Sequence, residues 1–524
     1  MQSLHMGSEP IFLIHDCPRR FGSAIKTMRS SSCLLGVDIG TEGCKAIVFN
    51  LRGESLARSY QQYSITIPQS SWAEQDPQLW WKAVRKSVAD VVKQTSNRRG
   101  EIACVTVSGQ SPVLVPVDRR GNALMNALIW MDRRAVEQSK TMVETVGITD
   151  DASMNLPKAI WVKENRPQIF QETYKFLQTT DFIEFKLTGN FVTDWLNAGT
   201  FHFDYRRHEW PTGLLNQLEI SVEKLPKVLR SSEIVGTVTD VAARETGLKK
   251  GTPVAAGGID AYLAIIGANA LTVGSACEIT GSSTCLMVPS RQDVHDPEKR
   301  VQCEKFPLLP NFWITWGTMS STGASLRWFR DNVEPQASYQ DLDAEAEKAP
   351  PGSDGLIFLP YLMGERSPLW DPYARGVFIG LSLNHSRKHL IRAVLEGCAF
   401  GIRHNLQIIE QLGAKVDEIR SCGGAAKSRF FEQIKADVTG KTVVIPREIE
   451  ASALGAAILA SVGAGFYPNL RKAAENMAHT KCRINPRESL FEKYDFSFRM
   501  YKDAYLHLKK YFKRYYSSGN AVSN

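Results

Sequence analysis

From Cys33 onward, short apolar runs bounded by glycine and polar residues alternate with longer stretches of helical spacing. Leu34, Leu35 and Val37, then Ala46, Ile47, Val48 and Phe49, read as two buried strands joined by the turn "DIGTEGCK". The stretch "QDPQLWWKAVRKSVADVVKQ" predicts a helix, with Asp76 as N-cap and Pro77 at its first position. "EIACVTVSGQ" predicts a strand ending at Ser108-Gly109-Gln110, and "GTPVAAGGIDAYLAIIGANAL" predicts a strand, a Gly-Gly turn and a small-residue helix. The opening grammar then returns: "SACEITGSSTCLMVPS" is again an apolar strand, a glycine-hydroxyl turn and an apolar strand. Alternating strands and helices imply an α/β fold, and the restart implies two related halves, 33–272 and 273–516. Residues 1–32 lack periodicity and are read as a disordered leader, an over-extended start or a targeting segment; 517–524 are read as a disordered tail.

A chain of 524 residues is long enough for two large domains, and 43% hydrophobic with 23% charged residues describes a soluble globular protein. No apolar run approaches the ~18 residues of a membrane span. The ten cysteines form no CxxC pair, which argues against a zinc site or disulfide framework and points to a reducing cytoplasm. Net charge is +8 without long basic blocks. The densest cluster, "HLKKYFKRYY", lies where Tyr501, Tyr505, Leu508, Phe512 and Tyr515 follow helical spacing, so a docked terminal helix is expected rather than a nucleic-acid arm.

Asp38 sits inside the first apolar run and leads into Gly40, Thr41 and Gly43. A buried carboxylate needs a partner, and glycines let backbone N–H groups approach an anion. A phosphate with its metal ion uses both features; a surface hairpin with a solvated Asp uses neither.

Further stretches share one order along the chain: "WAEQDP", "IWMDRR", "AGGIDA", "ITGSST", "FLPYLMGERSPLWDPYARGVFIGL", "SCGGAAKSRFFEQIKADVTGK" and "EASALGAAILA". Together with "DIGTEGCKA" they resemble, from Leu34 to about Tyr505, the FGGY carbohydrate kinase family, part of the actin-like ATPase superfamily with hexokinase and the Hsp70 ATPase domain. The resemblance implies two actin-like (ribonuclease H-like) domains with a nucleotide and sugar cleft between them, and ATP with Mg²⁺ as cofactors. It makes Asp260 the catalytic base and places Asp38 near the metal, through water. Gly40, Thr41 and Lys45, then Gly281, Ser282 and Ser283, would bind phosphate; Gly323 and Arg327 would lie near the nucleotide, and Gly424, Ala425 and Ser428 would line the adenosine pocket. Glu42 departs from the family's usual Ser or Thr and is expected to point away from phosphate or reach the metal.

Trp72, Gln110, Ser111 and Asp260 are candidate contacts for the sugar. Related kinases read it with the residues after the Gln of "SGQ" and after the catalytic Asp: Met-His and Asn in xylulokinases, Arg-Glu and Gln in glycerol kinases. Here these are Ser111-Pro112 and Ala261, and neither Pro112 nor Ala261 makes a side-chain hydrogen bond. This lining is not that of an authentic xylulokinase, although the motif style ("EQDP", "LPYLMGER") is closest to that branch, and a pentulose-type ketose is the expected substrate. The competing reading is an actin- or Hsp70-like ATPase or a degenerate kinase acting as a sensor. Partners expected are the small substrate and ATP, with no nucleic acid and no membrane. The family often dimerises, although no stretch here identifies an interface.

Overall fold

The computed structural model describes residues 32–96, 100–148 and 150–517. The expected leader lies outside these residues except for Ser32, and the expected tail except for Ser517, which ends the last helix.

Two mixed sheets organise the chain. The first contains β1 (Ser32–Ile39), β2 (Gly43–Asn50), β3 (Ser55–Gln62), β4 (Glu101–Gly109), β5 (Ile234–Thr237) and β6 (Pro253–Ile259). Its spatial order is β3-β2-β1-β4-β6-β5, with β1, β4 and β6 mutually parallel and the remaining pairs antiparallel. The second contains β7 (Gly274–Thr280), β8 (Thr284–Ser290), β9 (Gln302–Lys305), β10 (Trp313–Met319), β11 (Val416–Cys422), β12 (Thr442–Pro446) and β13 (Thr480–Ile484). Apart from the extra edge strand β9, its order β10-β8-β7-β11-β12-β13 repeats that of the first sheet, and the parallel strands are again the third, fourth and fifth. The weak sequence repeat is thus a repeat of topology.

In the first domain, α1 (Pro77–Ser96) starts where Asp76 accepts from the Gln78 N–H at 2.9 Å. It packs Trp80, Val84 and Val88 on the outer face of the sheet beside Phe182 and Ile183. Further along are α2 (Asn155–Asn165), whose Leu156, Ile160 and Trp161 fill a satellite core, and α3 (Thr179–Thr188). α4 (Asp260–Gly267) follows β6 without a break. In the second domain α5 (Gly323–Val333), α6 (Arg387–Gln411) and α7 (Arg429–Thr439) precede α8 (Ala451–Gly463). α4 and α8 lie in the core shared by the two sheets, where Leu263, Ile266, Leu454 and Ile458 meet Leu34 and Phe49 from one sheet and Cys277 and Ile314 from the other. The two helices cross on glycine: a Cβ on Gly267 would stand 1.9 Å from the Ala451 carbonyl oxygen, and one on Gly455 would stand 1.9 Å from that of Leu263.

The final helix, α9 (Phe491–Ser517), buries Tyr501, Tyr505 and Phe512 as expected and adds Tyr494 and Phe498. Tyr515 does not continue the stripe and is 49% exposed, because the helix has run past the core by then. No helix among the described residues is long and apolar enough to cross a membrane.

On α3, Glu184 is fully buried and neither of its carboxylate oxygens has a hydrogen-bond partner among the described residues. Burial, with Asp181 and Asp194 adding repulsion, holds it well above the usual glutamate range; burial pushes Asp181 up to about 8 and Asp194 up to about 7. Acids that keep protons in the fold beyond the pH at which the unfolded chain loses them make stability fall as pH rises, by about 1.4 kcal/mol per pH unit for each such proton. Glu184→Gln is therefore expected to raise the urea midpoint at pH 8, leave it nearly unchanged at pH 5, and reduce the slope between. Urea titrations at the two pH values check this; a midpoint lowered at pH 8 contradicts it.

Candidate active site

The turn after β1 and helix α5, which packs on the turn after β7, approach each other, with Glu42 3.9 Å from Arg327. In the first sheet Asp38 of β1 and Gly258 of β6 both stand level with Ser108 of β4. Asp38 and Asp260 therefore emerge at the carboxyl ends of the two strands that flank β4, where open α/β sheets bind ligands. Asp38 accepts from the Ser108 hydroxyl at 2.8 Å. Burial raises its pKa, Lys45 and Ser108 opposing the rise. The Asp260 carboxylate accepts from the Ala261 N–H at 2.7 Å, at the first turn of α4. Burial first, then the nearby Asp38 charge, pushes Asp260 up to about 7. Gly257, at φ +63°, makes this placement possible: a Cβ there would stand 1.9 Å from the Val107 carbonyl oxygen and force β6 away from β4. The expected Gly-Gly turn is instead an irregularity inside β6, which continues to Ile259.

Lys45 faces Asp38 across the β1–β2 pair, and its ammonium binds Glu450, the residue before α8, at 2.5 Å. Burial alone would lower its pKa, but Asp38 and Glu450 outweigh it and hold the lysine charged. Lys45 is thus shared between Asp38 beside the first glycine turn and the other domain. In that turn the Gly40 N–H donates to the Gly43 carbonyl at 3.0 Å, and the Thr41 hydroxyl accepts from the Trp130 indole at 2.9 Å.

The second turn lies at the end of β7. The Gly281 N–H donates to the Ser283 carbonyl at 3.0 Å, and Gly323 opens α5 so closely that a Cβ would be 2.1 Å from the Gly281 carbonyl oxygen. Arg327 donates to the Ser282 hydroxyl at 3.0 Å and lies 3.9 Å from Glu42. Glu42 therefore points away from its own turn, toward a cation of the other domain. Beside β7, β11 runs on into Gly423, whose N–H binds the Ile449 carbonyl, and then into the exposed Gly424 and half-buried Ala425. The Ser428 hydroxyl caps α7 by accepting from the Phe431 N–H at 3.0 Å. Asp38, Gly40, Thr41, Lys45 and Asp260 thus gather at one set of strand ends, and Gly281, Ser282, Ser283, Gly323, Arg327, Gly424, Ala425 and Ser428 at the other.

Among the candidate sugar contacts, Gln110 lies behind the surface: it is 2% exposed and donates to Gln75 at 2.6 Å. Trp72 is held in a stack, with the Arg134 guanidinium 3.7 Å from its ring centre and Trp161 edge-on at 5.4 Å. Arg134 in turn binds Glu74 and Asp132, and Asp132 accepts from the Ala73 N–H at 2.7 Å. The motifs "WAEQDP" and "IWMDRR" are therefore two halves of one clamp. Ser111 is half-buried and donates to Gln178 at 2.9 Å.

Sequence reasoning missed three residues here. Gln178 is one. Buried Lys158 donates to the carbonyls of Pro112, Leu128 and Ile129, and burial pushes its pKa down to about 7. Its signal was a lone lysine within the apolar "LPKAIW". Arg366, within the quoted "GERSP", lies 5.6 Å from the Trp130 ring centre and forms no ion pair with a carboxylate among the described residues.

The chain matches the models for the N-terminal domain of the FGGY family of carbohydrate kinases over residues 33–267 and for its C-terminal domain over residues 277–464. It is 32% identical to the xylulose kinase of Bacillus subtilis over 485 residues, 91% of this chain and 97% of that protein. It is 28% identical to the gluconokinase of the same organism, covering 88% of this chain and 94% of that one. The crystal structure of ligand-bound xylulose kinase from Lactobacillus acidophilus superposes with a TM-score of 0.83 at 26% identity, covering 92% of this chain and all 100% of that one. Two glycine turns and two carboxylates at the mouth of a duplicated sheet, together with matched models over both halves, place this chain in the FGGY family of carbohydrate kinases.

Proposed function

We propose that the protein transfers the γ-phosphoryl group of ATP to a hydroxyl of a small sugar or polyol, a pentulose-type ketose first, with Asp260 as general base. The observation that carries this reading is Asp260 itself: a carboxylate pushed up to about 7, at a strand end beside one phosphate turn and across from the other. A base with a pKa near neutrality removes a hydroxyl proton efficiently without being locked in its protonated form. As the substrate oxygen bonds to phosphorus, its proton passes to Asp260; the bond from phosphorus to the β–γ bridging oxygen breaks and ADP leaves. Lys45 and Arg327 neutralise phosphate charge, and Trp72 and Ser111 position the sugar.

Asp38 suits a divalent cation. It is half-buried, it has one hydroxyl partner, and its field already works against Asp260. No cluster of three or more His, Cys, Asp or Glu side chains able to hold a metal occurs among the described residues. Mg²⁺ would then be held mainly by ATP oxygens and water, with Asp38 behind the water. When bound it supplies charge neutralisation between the phosphates.

Xylulose is named for one relative and gluconate for another, and both belong in the test panel. Purified protein with Mg·ATP is expected to release ADP only when one of D-xylulose, other ketoses, D-gluconate, polyols or glycerol is added. The ATPase or sensor reading, favoured by Pro112 and Ala261, predicts ADP release that no sugar stimulates, or none.

A further inference from the structure

Resting on the kinase reading, we infer that Gln178 fixes Ser111 as an acceptor-only contact, so that the substrate must present a hydroxyl there rather than a carbonyl or carboxylate oxygen. The argument follows the protons. The Thr200 hydroxyl donates to the Asn197 carbonyl at 2.7 Å, which leaves its oxygen to accept. It accepts from the Asn155 amide at 2.9 Å and from the Gln178 amide at 3.0 Å. The Gln178 amide nitrogen also donates to the Asn197 carbonyl at 2.7 Å. Two acceptors on one side of Gln178 therefore set its orientation, and its oxygen is turned to Ser111. Asn155, Gln178, Asn197 and Thr200 are all buried, so water does not offer the amide an alternative.

Ser111 has one proton, and that proton lies on the Gln178 oxygen at 2.9 Å. Only lone pairs of the half-buried Ser111 oxygen remain for the cleft. A substrate hydroxyl can donate to them; a ketone or carboxylate oxygen placed there would meet a second acceptor and lose its hydration without replacement. Pro112 and Ala261 offer no side-chain donor to compensate. Gln178 acts here as a positioning residue, through Ser111.

The test uses deoxy and deoxyfluoro analogues of D-xylulose, or of whichever acceptor the ADP-release panel identifies in its place. Fluorine accepts weakly but cannot donate. With the wild-type enzyme, at one carbon of the chain, the deoxy and the deoxyfluoro analogue are both expected to lose roughly three- to tenfold in kcat/KM, the effect of one neutral hydrogen bond. Ser111→Ala is expected to show the same loss with the parent sugar and none beyond it with those two analogues. Gln178→Leu frees the Ser111 proton, so the deoxyfluoro analogue should recover part of its loss; Gln178→Glu keeps an acceptor toward Ser111 and should retain the loss. A deoxyfluoro analogue that matches the parent sugar in the wild type, or a Ser111→Ala enzyme equal to the wild type on the parent, overturns the inference while leaving the kinase reading intact. Absence of sugar-stimulated ADP release overturns both.

Discussion

Asp260→Asn is expected to lower kcat by about 10²–10⁴-fold with the KM for ATP little changed. The substitution keeps the shape of the side chain and an oxygen for the Ala261 N–H, which now holds the carboxylate at 2.7 Å. What it removes is the capacity to take a proton. Because the group titrates near 7, the wild-type kcat/KM for the sugar should climb with pH to a plateau whose inflection lies at or below about 7. The sign follows from the role: a base works only when ionised, and Lys45 and a bound cation favour ionisation, moving the inflection down. The Asn variant should lose that limb of the profile. Steady-state kinetics from pH 5.5 to 8.5 decide the matter, and a variant with unchanged turnover removes Asp260 from the mechanism.

Lys435→Met is expected to destabilise the second domain by about 3–5 kcal/mol, the usual cost of leaving buried charge without its partner. The Lys435 ammonium is wholly buried and donates to Glu278 at 2.8 Å and to Glu432 and Ser421 at 2.9 Å. Ser421 donates in turn to Glu278 at 2.6 Å. Burial pushes Glu432 up to about 7, with Lys435 as the main opposing influence. Glu278 lies on β7 and Ser421 on β11, close before the Gly281 turn and the Gly424 loop, while Lys435 and Glu432 lie on the helix that Ser428 caps. The network therefore ties together the three pieces that the proposed function places around the nucleotide. The variant should unfold at lower urea and show a raised KM for ATP. The triple variant Lys435→Met, Glu278→Gln, Glu432→Gln, which leaves no net buried charge, should recover much of the midpoint. A single variant within 1 kcal/mol of the wild type would mean that the cluster contributes little.

Legibility in the sequence divided along physical lines. The hairpin around Asp38, the Asp76-Pro77 helix start and the strand leading to Asp260 were readable because periodicity and capping are local properties. The pair Gly257-Gly258 was read as a turn, since positive φ is shared by turns and by strand irregularities; only pairing with β4 distinguishes them. Buried charges were opaque. Lys435 and Glu432 look like surface residues in the sequence, because their partners Glu278 and Ser421 come from other elements of the fold. The pairing of Trp72 with Arg134 was hidden for the same reason: each motif was visible, but their contact belongs to the tertiary structure.

The glycine crossing of α4 and α8 has a mechanical consequence. Where helices meet through interdigitated side chains, one must lift its ridges out of the other's grooves before it can turn. Here backbone faces backbone at Gly267 and Gly455, so the contact works as a plain bearing rather than a ratchet. One end of this bearing carries Asp260 and the other begins next to Glu450, the partner of Lys45. A small rotation there would change the spacing between Asp260 and the two glycine turns, and a single methyl group at either glycine would act as a wedge in the axle.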